Sequence, residues 1–260
     1  MKVRFEASKT AAVYRREMAE ARSPRSLAVL GTLALLQAFL MFVSRAPGRV
    51  EDTTIVFMVG GLFAVLAGYD LIAREREART IDLLLVQGLT RSALFAAKWA
   101  AATTGAVIMS AALVAGGVIG AVASKKPLAW SDYGWEFVMV AWFLWVYCLA
   151  ALAWSVVARR GKWALSAAVV TWLAVRPPVV GLLVLRPLRE AQGWSMSQAW
   201  TVLAALPEFA FRLALDPTRG VPQGIVVPRV LPYAALTAYV AGASIVAWLV
   251  FLRQDEPPLT

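Results

Sequence analysis

The sequence predicts an all-α integral membrane protein. It has six transmembrane helices, an amphipathic N-terminal interfacial helix, a short cytoplasmic helix between spans 2 and 3, and short helices in the outer loop before span 6. Three observations predict this. The 260 residues are 60% hydrophobic and only 16% charged, where a soluble domain carries roughly a quarter charged residues. Mean hydropathy is +0.66. Most of the charges, the basic residues above all, fall between long apolar runs. The composition also excludes classes of chemistry. There is no His and one Cys, Cys148, which removes Ser-His and Cys-His nucleophile systems, a disulfide framework and most transition-metal sites. Scattered Met residues give no soft-ligand cluster for copper. No Gly-rich phosphate loop with Lys is present, so the chain does not hydrolyse ATP by itself.

Six runs satisfy the ~20 helical residues that a ~30 Å hydrocarbon core requires. They are residues 27–44, 54–73, 93–123, 135–158, 163–185 and 231–252. The fourth carries Trp at both ends, as interfacial belts prefer. The net charge of +10 is read as topology, not as a nucleic-acid partner. With the N-terminus in the cytoplasm, sixteen basic residues fall inside and nine outside, which favours both termini inside. The first run is longer than a signal-peptide h-region and is expected to stay as a span.

The leader, residues 1–26, reads as an interfacial helix. Tyr14, Met18 and Ala21 share one face, while Lys9, Arg15, Arg16 and Arg22 reach toward anionic lipid headgroups. Residues 27–252 form the transmembrane domain and 253–260 a cytoplasmic tail.

Between spans 2 and 3 lies "AREREARTIDLLLVQGLTR". "REREAR" extends the second helix into water, with Glu75 and Arg79 as a favourable i,i+4 pair. Thr80 caps a new short helix, and Asp82 in its first turn complements the dipole. Ile81, Leu84 and Leu85 form one face, which Leu83 widens. Gly88 stops the helix, and Thr90 or Ser92 caps the next. An apolar face outside the membrane has two destinations: its own bundle, or a groove on a partner. The spacing leaves both open.

Among the charges within apolar runs, Asp70 and Arg176 are candidates for a role in the membrane. Asp70, near the inner end of span 2, is expected to pair with Arg74. Arg176 lies thirteen residues past Trp163, ~20 Å along a helix. An intramembrane charge is a functional candidate. Alternatively, Pro177 and Pro178 end the helix and let Arg176 reach the outer interface. Lys125 and Lys126 sit in a short turn, Cys148 packs as a small apolar residue, and Gly60-Gly61 and Gly116-Gly117 permit close helix contact. The outer loop, residues 186–230, holds five prolines and cannot be one helix. It is too apolar for a linker, so short helices dip into the outer leaflet or cap the bundle.

"EREARTIDLLLVQGLTR" resembles the signature of type-2 ATP-binding-cassette (ABC-2) exporter permeases. Glu75, Arg76, Glu77, Thr80, Ile81, Asp82, Leu83, Leu84, Leu85, Thr90, Arg91 and Lys98 match the pattern. Arg79 stands where the family has Gly, and Gly88 where it has Pro. The resemblance extends to the whole plan of the chain. It implies that the short helix is a coupling helix seated in a cleft of a nucleotide-binding ATPase subunit. ATP and Mg would bind there, with no cofactor in this chain. It further implies a homodimer of permeases with two ATPases in a bacterial inner membrane, and outer-loop helices that form a gate. "LPEFAFRLAL" is similar to an outer-loop segment of permeases linked to nitrous-oxide-reductase maturation, with Pro207, Phe211 and Arg212 matching. That branch implies a periplasmic protein partner. Two mechanisms follow: a substrate path opened by ATPase closure, or force passed to a periplasmic partner without transport.

Overall fold

A computed structural model describes residues 2–43, 54–128, 130–158, 160–176, 180, 185–186, 193, 195–215 and 227–253. Among these, eleven helices run in chain order: α1 Lys2–Ala21, α2 Pro24–Val43, α3 Thr54–Gly68, α4 Asp70–Glu77, α5 Thr80–Val86, α6 Arg91–Ala123, α7 Trp130–Val157, α8 Gly161–Ala174, α9 Met196–Ala204, α10 Pro207–Leu215 and α11 Leu231–Arg253. The expectations for Pro177 and Pro178, for much of the outer loop 186–230 and for the tail from 254 lie outside the described residues.

Four of these helices are long and apolar enough to cross a membrane: α2, α6, α7 and α11. The six-span expectation is therefore corrected. The run 54–73 is not one helix: α3 has 15 residues and α4 starts anew after Tyr69. The interruption has a visible cause. The Ser155 hydroxyl on α7 accepts the backbone N–H groups of Ile72 and Ala73, at 2.9 and 2.8 Å, so a first turn is satisfied from outside its own helix. Within the run 163–185, α8 has 14 residues and ends at Ala174.

Helix α7 is the centre of the bundle, packed by α3, α6, α8, α10 and α11. Its buried positions include Met139, Val140, Phe143, Leu144, Tyr147, Cys148, Leu149 and Leu152. The Cys148 thiol donates to the Ala64 carbonyl oxygen and otherwise fills space. Helix α2 lies on α6 along a seam of small residues. A Cβ on Gly116 would stand 2.2 Å from the Ala34 carbonyl oxygen, and one on Gly120 would stand 2.3 Å from that of Ala38. The backbones meet there as in small-xxx-small crossings. The outer faces of α2 and α11 expose Leu35, Phe39, Phe42, Ile245, Val246 and Leu249, a surface suited to lipid tails.

Helix α1 and the C-terminal turn of α11 lie at one end of the bundle. Phe95, near the start of α6, packs its ring on Trp248 and Phe251 of α11, with centroids 5.2 and 5.9 Å away. Helix α1 packs on α6 at the same end. There the Tyr14 hydroxyl meets that of Thr104 at 3.0 Å. Helix α5 protrudes from this end too.

Candidate functional site

Helix α5 is a seven-residue stub fixed at both ends. At its start, Arg79 adopts the left-handed conformation, with φ 54° and ψ 23°. This is the conformation glycine takes most easily, so the sharp turn persists although Arg occupies the position. Thr80 is not the cap that its type suggests, because it is already the first helical residue. Its hydroxyl donates to the Glu75 carbonyl oxygen at 3.1 Å and to the Glu75 carboxylate. At the far end Gly88 has φ 80°. Leu89 N–H donates to the Leu84 carbonyl at 3.1 Å, and Gly88 N–H to that of Leu85 at 2.9 Å. These two bonds make a Schellman motif. The Lys9 ammonium of α1 also donates to the Gln87 carbonyl oxygen, adding a cation where the helix dipole is negative. Thr90 caps α6 by accepting from Ala93 N–H at 3.3 Å.

The apolar side chains of α5 divide between two directions. Ile81 is 3% exposed, and Leu84 and Leu85 are half-buried against the bundle core. Leu83 and Val86 point away, 61% and 84% exposed. Asp82 and Arg91 are half-buried. The face that periodicity groups together is thus an anchor to the stub's own bundle. The outward pair consists of Leu83, which the pattern places on the margin, and Val86, which it does not single out.

Behind the stub lies a buried ionic cluster. Lys98 on α6, 1% exposed, donates to Glu17 of α1 at 2.6 Å and to Glu75 of α4 at 3.1 Å. Arg16 stands 3.5 Å from Glu75. Two carboxylates thus meet the buried Lys98, and the exposed Arg16, shared with Glu20, adds a cation at the edge of the group, which lowers the penalty of burying it. Burial raises the Glu75 pKa. The Thr80 hydrogen bond, Lys98 and Arg16 outweigh it and hold the carboxyl below its ordinary range. Glu75 therefore turns inward instead of pairing with Arg79.

The rest of α4 is tied to its neighbours as well. Arg74 makes its ion-pair contact with Glu20 of α1, and its charge also acts on Asp70. Asp70 lies beside the N-terminus of α8, where Glu77 accepts the Gly161 N–H at 2.6 Å. A carboxylate there complements the helix dipole. The Arg76 guanidinium donates to the carbonyls of Val156 and Ala158 at 3.1 and 2.9 Å, closing the end of α7.

A second polar group lies toward the other end of the bundle. Arg176 has a partner within the bundle. It is buried, 3.5 Å from Glu208 of α10, with its guanidinium 4.2 Å above the Trp172 ring. Arg212 holds the same carboxylate at 3.1 Å. Pro207 begins α10, and Phe211 is buried with its ring 5.1 Å from Phe143. Tyr233 donates to the Ala214 carbonyl at 3.2 Å. Helix α10 is thereby packed into the bundle against α7 and α11.

Sequence reasoning missed Glu17, Glu208 and Val86. For Glu17 a signal existed: it is an acid beside the apolar positions Tyr14 and Met18 of α1. Among the described residues, no group of three or more His, Cys, Asp or Glu is placed to hold a metal ion.

The profile of the family described as ABC-2 family transporter protein matches residues 18–255. The chain belongs to that family. No curated protein matches it. This ABC-2 permease is the membrane component of an ABC transporter, a multi-pass protein that is not itself the catalytic subunit, and such permeases work with a nucleotide-binding ATPase subunit.

Proposed function

We propose that this ABC-2 permease receives the ATPase stroke through α5. Leu83 and Val86 enter a cleft of the nucleotide-binding subunit, while Ile81, Leu84 and Leu85 carry the load into the bundle. Asp82 and Arg91 flank the contact. Glu75, Glu77 and Thr80 fix the segment that holds α5. The observation that carries this reading is the outward pair. Two large apolar side chains sit exposed on a stub whose both ends are hydrogen-bonded in place, and a rigid apolar knob suits a partner's groove.

The end bearing α1, α5 and the C-terminal turn of α11 is the cytoplasmic side of a bacterial inner membrane, since the basic residues concentrate there. The basic side chains of α1 meet anionic headgroups. Two copies of this chain with two ATPase subunits make the working unit, and ATP closure moves the long helices to export a substrate. Helix α10, with Pro207, Phe211, Arg212 and the buried Arg176, is the moving part at the outer side.

The test is co-purification of the permease with its ATPase subunit from membranes. Leu83→Asp and Val86→Asp should insert normally and lose the ATPase subunit. Undiminished co-purification and ATPase stimulation in both variants would overturn the reading.

A further inference from the structure

The protein places a full positive charge inside its bundle, although an apolar side chain at that position would carry less desolvation cost. Lys98 sits seven residues into α6, ~10 Å along its axis. Its two carboxylate partners come from two other elements, α1 and α4. Helix α1 depends on this contact. Of the α1 side chains described, Glu17 alone is buried. Other ties of α1 lie at the surface or half-buried: Lys9 to the C-terminus of α5, Tyr14 to Thr104, Arg16 to Glu75, Glu20 to Arg74, and Val13 against the apolar core. Four of the polar ties, those of Lys9, Arg16, Glu17 and Glu20, lead to α4, α5 or the lysine that α4 shares. Helix α1 then continues into α2 through the turn at Ser23, whose hydroxyl accepts the Ser26 N–H at 3.3 Å. Helix α2 is locked on α6 by the glycine seam.

We propose that Glu17 and Lys98 are positioning residues for the coupling step. They join α1, α4 and α6 into one rigid joint, so displacement of α5 reaches α2 and α6 together. Apolar contacts slide past each other under load, whereas the charge-assisted hydrogen bonds of Lys98 to Glu17 and Glu75 hold their partners in direction and distance. The joint converts a push on a short stub into a concerted movement of two long helices. This rests on the docking role of α5, and the two ideas fail separately.

The experiment uses the full permease in complex with its ATPase subunit, reconstituted in lipid. Glu17→Gln removes the charge that α1 presents to Lys98 and leaves Lys98 paired with Glu75. The complex should still co-purify, but permease-dependent stimulation of ATP hydrolysis should fall at least ~5-fold, the lower end of ordinary coupling between two sites. Glu17→Asp keeps the charge and should recover a large part of the stimulation. A purely structural glutamate would not give that split between assembly and stimulation. Wild-type stimulation in Glu17→Gln overturns the proposal. So does failure of that variant to assemble, which would give Glu17 a structural role only. Leu83→Asp runs alongside. If it keeps both assembly and stimulation, the docking role fails whatever Glu17→Gln does.

Discussion

Lys98→Met offers the sharpest quantitative check on the ionic joint. The substitution keeps the chain length and removes the charge. It leaves Glu17 and Glu75 buried and facing one another, with only the exposed Arg16 in range of Glu75. Removing one partner of a buried pair costs about 3–5 kcal/mol, because the other charge is left uncompensated. In a chain of this size each kcal/mol shifts the melting temperature by ~2–4 °C, so the expected drop is about 6–20 °C. The eleven tryptophans make intrinsic fluorescence in lipid nanodiscs a direct readout. The triple variant Lys98→Met/Glu17→Gln/Glu75→Gln removes all three charges together and should recover at least half of the loss, since replacing every partner avoids the unpaired group. A single variant melting within ~2 °C of wild type would refute the reasoning. A triple variant less stable than the single one would refute it equally.

Other expectations concern local geometry. Glu75 has a depressed pKa, so its contribution to stability is complete above the ordinary carboxylate value and is lost as pH falls through the lower folded one. Melting temperature should hold from about pH 7 to pH 5 and drop below about pH 4.5, and Glu75→Gln should shrink that acid drop. Gly116→Ala should destabilise by ~1–3 kcal/mol, since its Cβ meets a backbone oxygen at 2.2 Å. Gly105→Ala, with nothing within 4 Å, should be neutral or slightly stabilising. Size-exclusion recovery after heating separates the two. Arg79→Gly should raise thermal stability by about 0.5–1 kcal/mol by relieving the left-handed backbone, and a drop in melting temperature would contradict that.

The long helices were legible because their signal is local. The runs 27–44, 93–123, 135–158 and 231–252 coincide with α2, α6, α7 and α11 to within a few residues, since length and unbroken apolarity suffice. The break at Tyr69 was not legible. It depends on a hydroxyl at Ser155, more than eighty residues away, and residues 54–73 carry no Pro to announce it. The partner of Arg176 was hidden for the same reason: its anion, Glu208, arrives with α10 from a distant stretch. At α5 the stop at Gly88 and the grouping of Ile81, Leu84 and Leu85 were readable from spacing. Which way that group faces was not, because periodicity sets faces relative to one another and not to the core. Lys98 was visible as part of the motif. That it gathers carboxylates from α1 and α4 became visible only in three dimensions.

The central claim is that the outward pair on α5 is the surface the ATPase subunit grips. A photo-reactive amino acid placed at position 83 or 86 of the full permease, irradiated in membranes that contain the ATPase subunit, tests it most directly. Adducts to the ATPase subunit from both positions, with none from a probe at Ile245 on the exposed face of α11, are the predicted result. Probes at 83 and 86 that label only lipid or the permease itself, in a complex that still co-purifies, would contradict the claim.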